Sequence, residues 1–256
     1  MESGKNVLET NNLSILVSSK FLDTIIAACL SIYYGMFHTK IMERDKFICL
    51  SRENSDLNGL MELSPESKKD ILSWINICDL PEVTSPIRVP NFNCVIFSDA
   101  SKSGWGGSCS GLRARGWWNE EEAMQSINDL ELIAAYYALL SFTKSQKGLS
   151  ILFRIDNTTA ISYVNRFGGV QFPKLNYIAR KIWMYCEEHG HYVCAAYINT
   201  KDNFVADAES RSLEYNSEWT IDDSCFHRII RHFNYHPSID LFASHSNHKL
   251  NLYVSW

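Results

Sequence analysis

Residues 93–118 read NCVIFSDASKSGWGGSCSGLRARGWW, and this stretch decides the fold. Residues 93–98 form a short apolar run rich in β-forming side chains that ends at Asp99. Gly104, Gly106 and Gly107 mark a turn and the start of a second strand, and Gly111 marks another turn. Residues 113–118 then close a three-stranded antiparallel meander.

Downstream, the period changes. Residues 128–142 carry an apolar stripe of Leu130, Ala134, Tyr137 and Leu140 at helical spacing. Residues 150–155 read as a buried strand ending at Asp156. Helices are expected over 157–167 and 174–189, separated by Gly168-Gly169 and Pro173, then a strand over 192–198 and a last helix over 203–211. The order βββ-α-β-α-α-β-α predicts an α/β domain with a mixed five-stranded sheet, three strands antiparallel and the rest parallel, flanked by helices.

Upstream, residues 21–50 show apolar spacing of three and four and read as helical. A second helix is expected over 64–78, with Ser64 as N-cap, Pro65 at the first helical position, and Glu66 and Asp70 in the opening turns. Pro81, Pro86 and Pro90 punctuate an extended linker over 79–90. The expected division is a helical segment over 1–90, an α/β domain over 91–213 and a tail over 214–256.

The chain has 256 residues, 46% hydrophobic and 21% charged, which suits a protein with a substantial core and excludes disorder, collagen-like repeats and a coiled coil. The longest apolar run, residues 25–36, is too short for a membrane span, and the polar stretch before it is no secretory signal. Eight cysteines without any CxxC read as free thiols in a reducing compartment, and the Asn12 and Asn157 sequons as coincidences. The expected location is therefore intracellular, in cytoplasm or nucleus.

Four acids fall where strand and helix ends should converge: Asp99, Glu131, Asp156 and Asp207, with separations of 32, 25 and 51 residues. Carboxylates gathered in one pocket repel and raise each other's pKa unless cations bind. Two Mg²⁺ ions, about 3.5–4 Å apart, would resolve this and support phosphodiester hydrolysis. Singly, each acid has a plainer reading: Asp99 and Asp156 as turn formers, Glu131 as a solvated helix residue, Asp207 as an i,i+4 partner of Arg211.

The segments SDASKSGWGG (98–107), NDLELIAAYYAL (128–139), RIDNTTAISYVNR (154–166) and NFVADAESR (203–211) together resemble the ribonuclease H domain of retroelement reverse transcriptases. The flanks SIYYGMFHTKIMERDK (31–46) and PSIDLFASHSNHKLNLYVSW (237–256) are similar to those of DIRS-type, tyrosine-recombinase retroelement polyproteins. This resemblance implies a ribonuclease H-like fold, with a helical N-terminal extension left from the reverse transcriptase and a C-terminal tail. It also implies hydrolysis of the RNA strand of RNA–DNA hybrids with two Mg²⁺ ions, for which Mn²⁺ can substitute. Asp99 would bridge both metals, Asp207 would join it at the nucleophile-side metal, and Glu131 and Asp156 would complete the other. Ser101, Asn128, Asn157 and Asn203 would contact nucleic acid. Short polar groups suit the 2′-hydroxyls of the shallow minor groove, though Asn128 reads equally as a helix N-cap. No membrane or small-molecule substrate is implied.

Here the chain departs from the family's histidine-bearing loop before the last helix, reading AAYINTKDNFVAD with Tyr197, Asn199 and Thr200 in its place. His189 and His191 are expected to be ordinary surface residues. Within 91–213 there are 12 Lys+Arg and 12 Asp+Glu, so the surface is net basic once the four acids are set aside. Arg113, Arg115, Arg154, Arg166, Lys174, Arg180 and Lys181 could track phosphates, or only keep the protein soluble. Trp105, Trp117 and Trp118 read as core or strand-pair residues. Cys225, His227, His232, His236, His245 and His248 fit no closed zinc template. Residues 220–223 (TIDD) read as a loop and helix start, so no polymerase site is expected. Two rival functions are a catalytically weak or inactive domesticated remnant that only binds nucleic acid, and another nuclease of the superfamily, transposase- or integrase-like.

Overall fold

The computed structural model describes residues 2–9, 13–29, 31–32, 34–78, 91–211, 221–241, 243 and 248–254. The expected linker over 79–90 lies outside the described residues. Two units follow from the packing, Met1–Arg211 and Ser212–Trp256.

The first unit is built on a five-stranded sheet. Strands β3 (Cys94–Ala100), β4 (Gly104–Cys109) and β5 (Leu112–Trp117) form the antiparallel meander, and β6 (Ser150–Ile155) and β7 (Tyr192–Tyr197) add in parallel, in spatial order β5-β4-β3-β6-β7. Ahead of β3, β1 (Leu13–Ser14) and β2 (Leu60–Met61) form a short antiparallel pair of their own. The fold is thus α/β, a mixed five-stranded sheet, part antiparallel and part parallel, flanked by helices as expected.

Helix α6 (Ile127–Thr143) is the central packing element. Ser126 caps it, accepting from Asp129 N, while Asp129 returns the bond to the Ser126 backbone. Its Leu130, Leu132, Ala134, Ala135, Ala138 and Leu139 are fully buried in one core with Ile96, Ile151, Phe153, Ile155, Ile182 and Trp183. So the helix is apolar nearly all round, as an element covered on several sides must be. Helix α8 (Pro173–His189) starts with proline at its first position and ends at Gly190, whose φ of 68° closes it in the left-handed conformation glycine tolerates. Helices α7 (Thr158–Asn165) and α9 (Phe204–Arg211) complete the layers.

Three local outcomes depart from the sequence expectations. The single helix expected over 21–50 is broken: α2 (Ile15–Ala28) and α3 (Lys40–Arg52) are separated by a 3₁₀ turn, Gly35–Thr39. Distant partners take hold of this break. A Cβ on Gly35 would stand 2.8 Å from the Trp74 indole, and the Tyr34 hydroxyl donates to the carbonyls of Cys186 and His191. His191 is fully buried and not a surface residue, because its Nδ1 accepts from Leu149 N beneath the start of β7. Trp105 and Trp118 are buried and Trp117, half exposed on the edge strand, pairs with Gly104 of β4, so all three keep the expected core or strand-pair roles. A short helix, α5 (Glu120–Ala123), is held by a capping box between Asn119 and Glu122.

Helices α1 (Glu2–Glu9), α2, α3 and α4 (Pro65–Cys78) bury a second core around Ile15, Leu22, Met42, Met61, Ile71 and Trp74. Phe37, however, leaves that group and joins the core of the sheet. Nearby, His38 bonds Asp70 and Glu187, and Arg180 on α8 forms a bidentate pair with Asp70.

The second unit contains α10 (Asp223–His232), capped by Asp222, which accepts from Ser224 N and Cys225 N. An isolated bridge joins Asp240 and Tyr253, and Lys249 pairs with Asp223.

Candidate metal centre

Sheet register explains how two of the acids meet. Phe97 in β3 is the parallel partner of Arg154 in β6, so two residues further along, Asp99 and Asp156 stand at the same level on neighbouring strand ends. Glu131 comes from the first turns of α6, which packs on β3. The three carboxylates place one oxygen each within 4.8 Å of one another, and no other group of three metal-capable side chains occurs among the described residues. Cys225, His227, His232, His236 and His248 form no such cluster; His245 lies outside the described residues.

Asp99 and Glu131 are 3% and 5% exposed, while Asp156 is half-buried. One oxygen of each carboxylate is held by a protein donor. Ser210 Oγ lies 2.6 Å from Asp99 Oδ2, Thr200 Oγ1 donates to Asp156 Oδ2 over 2.8 Å, and the Ala100 backbone N–H donates to Glu131. The second oxygen of Glu131, Oε2, is buried with no hydrogen-bond partner.

Burial pushes the Glu131 carboxyl up to about 9, with the charges of Asp99 and Asp156 adding to it. Asp99 is pushed up to about 6, again chiefly by burial, then by Asp156 and Asp207, against the Ser210 hydrogen bond that favours its charged form. A buried acid with an orphaned oxygen, beside two more acids, is costly unless a cation fills the space. The donor set is entirely oxygen, which fits a hard divalent ion.

Asp207 lies in the first turn of α9, outside the group of three. Its Oδ1 is engaged by Arg211, so the plainer i,i+4 reading of Asp207 is the arrangement formed. The polar residues expected to meet nucleic acid separate in the same way. Asn157 caps α7 through Ala160 N, and its Nδ2 donates to Asn128 Oδ1 over 2.9 Å, joining the two at the edge of the acidic group. Asn128 is not the N-cap of α6; Ser126 is. The Ser101 hydroxyl is fully engaged within the protein, accepting from Ser103 N and Gly104 N in the β3–β4 turn and donating to Ser210 O. Asn203 is 1% exposed and donates to Ser98 O, so it ties α9 to β3 and is shielded from any ligand.

Of the basic residues, Arg113 and Arg115 pair with Glu209, Arg180 with Asp70, and Lys181 lies over the Tyr177 ring. Arg166 and Lys174 are exposed. Two contacts to the acids escape the sequence reading. Ser210 stands three residues after Asp207 and so could have been found from helical spacing; Thr200 sits in a loop with no such signal.

No protein-family model matches this chain, and no curated protein matches its sequence. Among solved structures, the chain is similar to RNase H1 from the halophilic archaeon Halobacterium salinarum NRC-1, at 12% identity over 45% of this chain and 92% of that one, with a TM-score of 0.38. It is similar to LC11-RNase H1 in complex with RNA/DNA hybrid at 17% identity over 46% and 93%, with a TM-score of 0.39. It is also similar to the prototype foamy virus protease-reverse transcriptase at 16% identity over 60% of this chain and 21% of that one, with a TM-score of 0.29.

Proposed function

We propose that this chain is a divalent-metal-dependent endonuclease that hydrolyses the RNA strand of RNA–DNA hybrids. The observation that carries the reading is the convergence of Asp99, Glu131 and Asp156, two of them buried and one with an orphaned oxygen. These three would hold Mg²⁺, or Mn²⁺ in its place, and Asp207 would complete the set once Arg211 releases it. Bound metal supplies activation of water and stabilisation of the leaving oxygen. The chain's own residues do the rest. Ser210, Thr200 and the Ala100 N–H hold one oxygen of each acid, and the Asn128–Asn157 pair presents short polar groups to a minor groove that displays 2′-hydroxyls. Exposed Arg166 and Lys174 favour a phosphate backbone as the larger partner.

In this reading, residues 91–213 are the nuclease domain, 1–90 come from the reverse transcriptase region ahead of it, and 214–256 form a tail, in an intracellular DIRS-type retroelement protein. No helix among the described residues is long and apolar enough to cross a membrane. The Asp207–Arg211 pairing favours the second reading, a remnant that binds nucleic acid without cutting it.

Cleavage of an end-labelled hybrid with Mg²⁺ or Mn²⁺, beside Asp156→Asn and EDTA controls, decides between them. The expected result is a cut RNA strand with both controls silent. Binding without cleavage selects the remnant, and preferential cutting of duplex DNA selects a transposase- or integrase-like nuclease.

A further inference from the structure

Gly106 is the antiparallel partner of Asp99, and α9 lies directly on it: a Cβ there would stand 2.3 Å from Ala206 O and 2.4 Å from Ser210 N. This close approach brings Ser210, 3% exposed, within reach of the acidic group from the strand side. Its Oγ has two acceptors, Asp99 Oδ2 at 2.6 Å and Asp207 O at 2.9 Å. A hydroxyl carries one proton, and the shorter, charge-assisted bond is the one to the carboxylate. Ser210 is itself anchored, since its carbonyl accepts from Ser101 Oγ in the β3–β4 turn. One buried side chain therefore touches the first acid of the group and the backbone of the fourth.

We propose that Ser210 is a positioning residue that fixes the Asp99 carboxylate for a divalent cation and couples it to the helix carrying Asp207. The proposal rests on the metal-dependent reading above. The Asp207 carbonyl gives the hydroxyl proton a second acceptor whenever Asp99 Oδ2 is drawn elsewhere, so the buried serine keeps a partner in both arrangements. The two nearby serines are placed otherwise: Ser101 Oγ accepts within its own turn and donates to the Ser210 carbonyl, and Ser98, next to Asp99 in β3, sends its side chain to the opposite face of the sheet.

The test is Mn²⁺ binding to the full chain by titration calorimetry, without nucleic acid, for wild type, Ser210→Ala and Ser210→Thr, with thermal melting in EDTA alongside. Residues that orient a metal ligand typically contribute about 10- to 100-fold in affinity, so Ser210→Ala should lose about tenfold and Ser210→Thr, which keeps the hydroxyl, should regain most of it. If Ser210→Ala does not fold, Ser210→Cys, close in shape and a poorer donor, carries the same expectation. Unchanged Mn²⁺ affinity in a folded Ser210→Ala or Ser210→Cys protein overturns the proposal, whatever happens to melting. A wild type that takes up no Mn²⁺ overturns the metal reading itself and this proposal with it.

Discussion

Arg211 grips Asp207 from one turn further along α9, its Nε 2.8 Å and its Nη2 2.7 Å from the same carboxylate oxygen, Oδ1. A cation that recruits Asp207 must displace this guanidinium. Because the Arg211 side chain is 65% exposed, the pair is screened and worth at most about 1 kcal/mol. Arg211→Gln should therefore leave folding unchanged and strengthen Mn²⁺ binding by no more than about fivefold. Calorimetric titration checks this; weaker binding in the variant would show that Arg211 assists the site.

Gly106→Ala tests the contact between α9 and β4. The new methyl meets backbone atoms of Ala206 and Ser210, which cannot swing aside. Overpacking of this kind costs about 1–3 kcal/mol, which lowers the melting temperature by several degrees. Mn²⁺ affinity should fall as well, since the displaced helix carries Ser210. An unchanged melting curve would contradict the packing described.

Proton release reports on Glu131. With its carboxyl pushed up to about 9, the metal-free protein holds a proton there at neutral pH. Cation binding must expel it, so affinity should rise as pH increases toward 9. Titrations at pH 7 in buffers of different ionisation enthalpy should register the release. Glu131→Gln, which mimics the protonated acid, should keep the metal-free melting temperature near that of wild type at pH 7 while losing the release.

His38 sets a second pH dependence, far from the acids. Burial alone would lower its pKa, but the hydrogen bonds and charges of Asp70 and Glu187 outweigh burial and raise it. The folded state thus binds the proton more tightly than the unfolded one. Its contribution to stability is complete below about pH 6.5, the ordinary histidine value, and is lost as pH rises through the folded pKa. His38→Gln should flatten this part of the stability–pH curve in urea unfolding; an unaltered curve would mean that His38 carries no extra proton.

The sheet was legible because its signals are local. Glycines punctuate the meander, apolar runs end at Asp99 and Asp156, and the change from β to helical period at residue 128 marks α6. Asp99 and Asp156 follow from the same logic, since parallel neighbours end side by side. Asp207 was harder: one helical turn separates it from Arg211, and spacing alone does not say whether it faces the other acids or the arginine. The break between α2 and α3 was illegible for another reason. Gly35 and Tyr34 answer to Trp74, Cys186 and His191, partners from 39 to 157 positions away, and no window of sequence contains both sides of those contacts. His191 and Asn203 were misplaced likewise, because polar residues beside strands look exposed until the fold supplies a buried acceptor or donor.

The placement of Phe37 and Asp70 has a practical cost for anyone wishing to shorten this protein. A fragment begun at residue 91 would keep Arg180 without the aspartate that faces it, and would leave the carbonyls of Cys186 and His191 without the tyrosine hydroxyl they share. It would also open a phenylalanine-sized gap in the core beneath α8. Such a fragment would expose a sticky, half-charged face and tend to aggregate, so the five-stranded sheet is not a detachable cartridge. Trimming it successfully would require replacing Arg180 with an uncharged residue and resurfacing α8 as a solvent-facing helix.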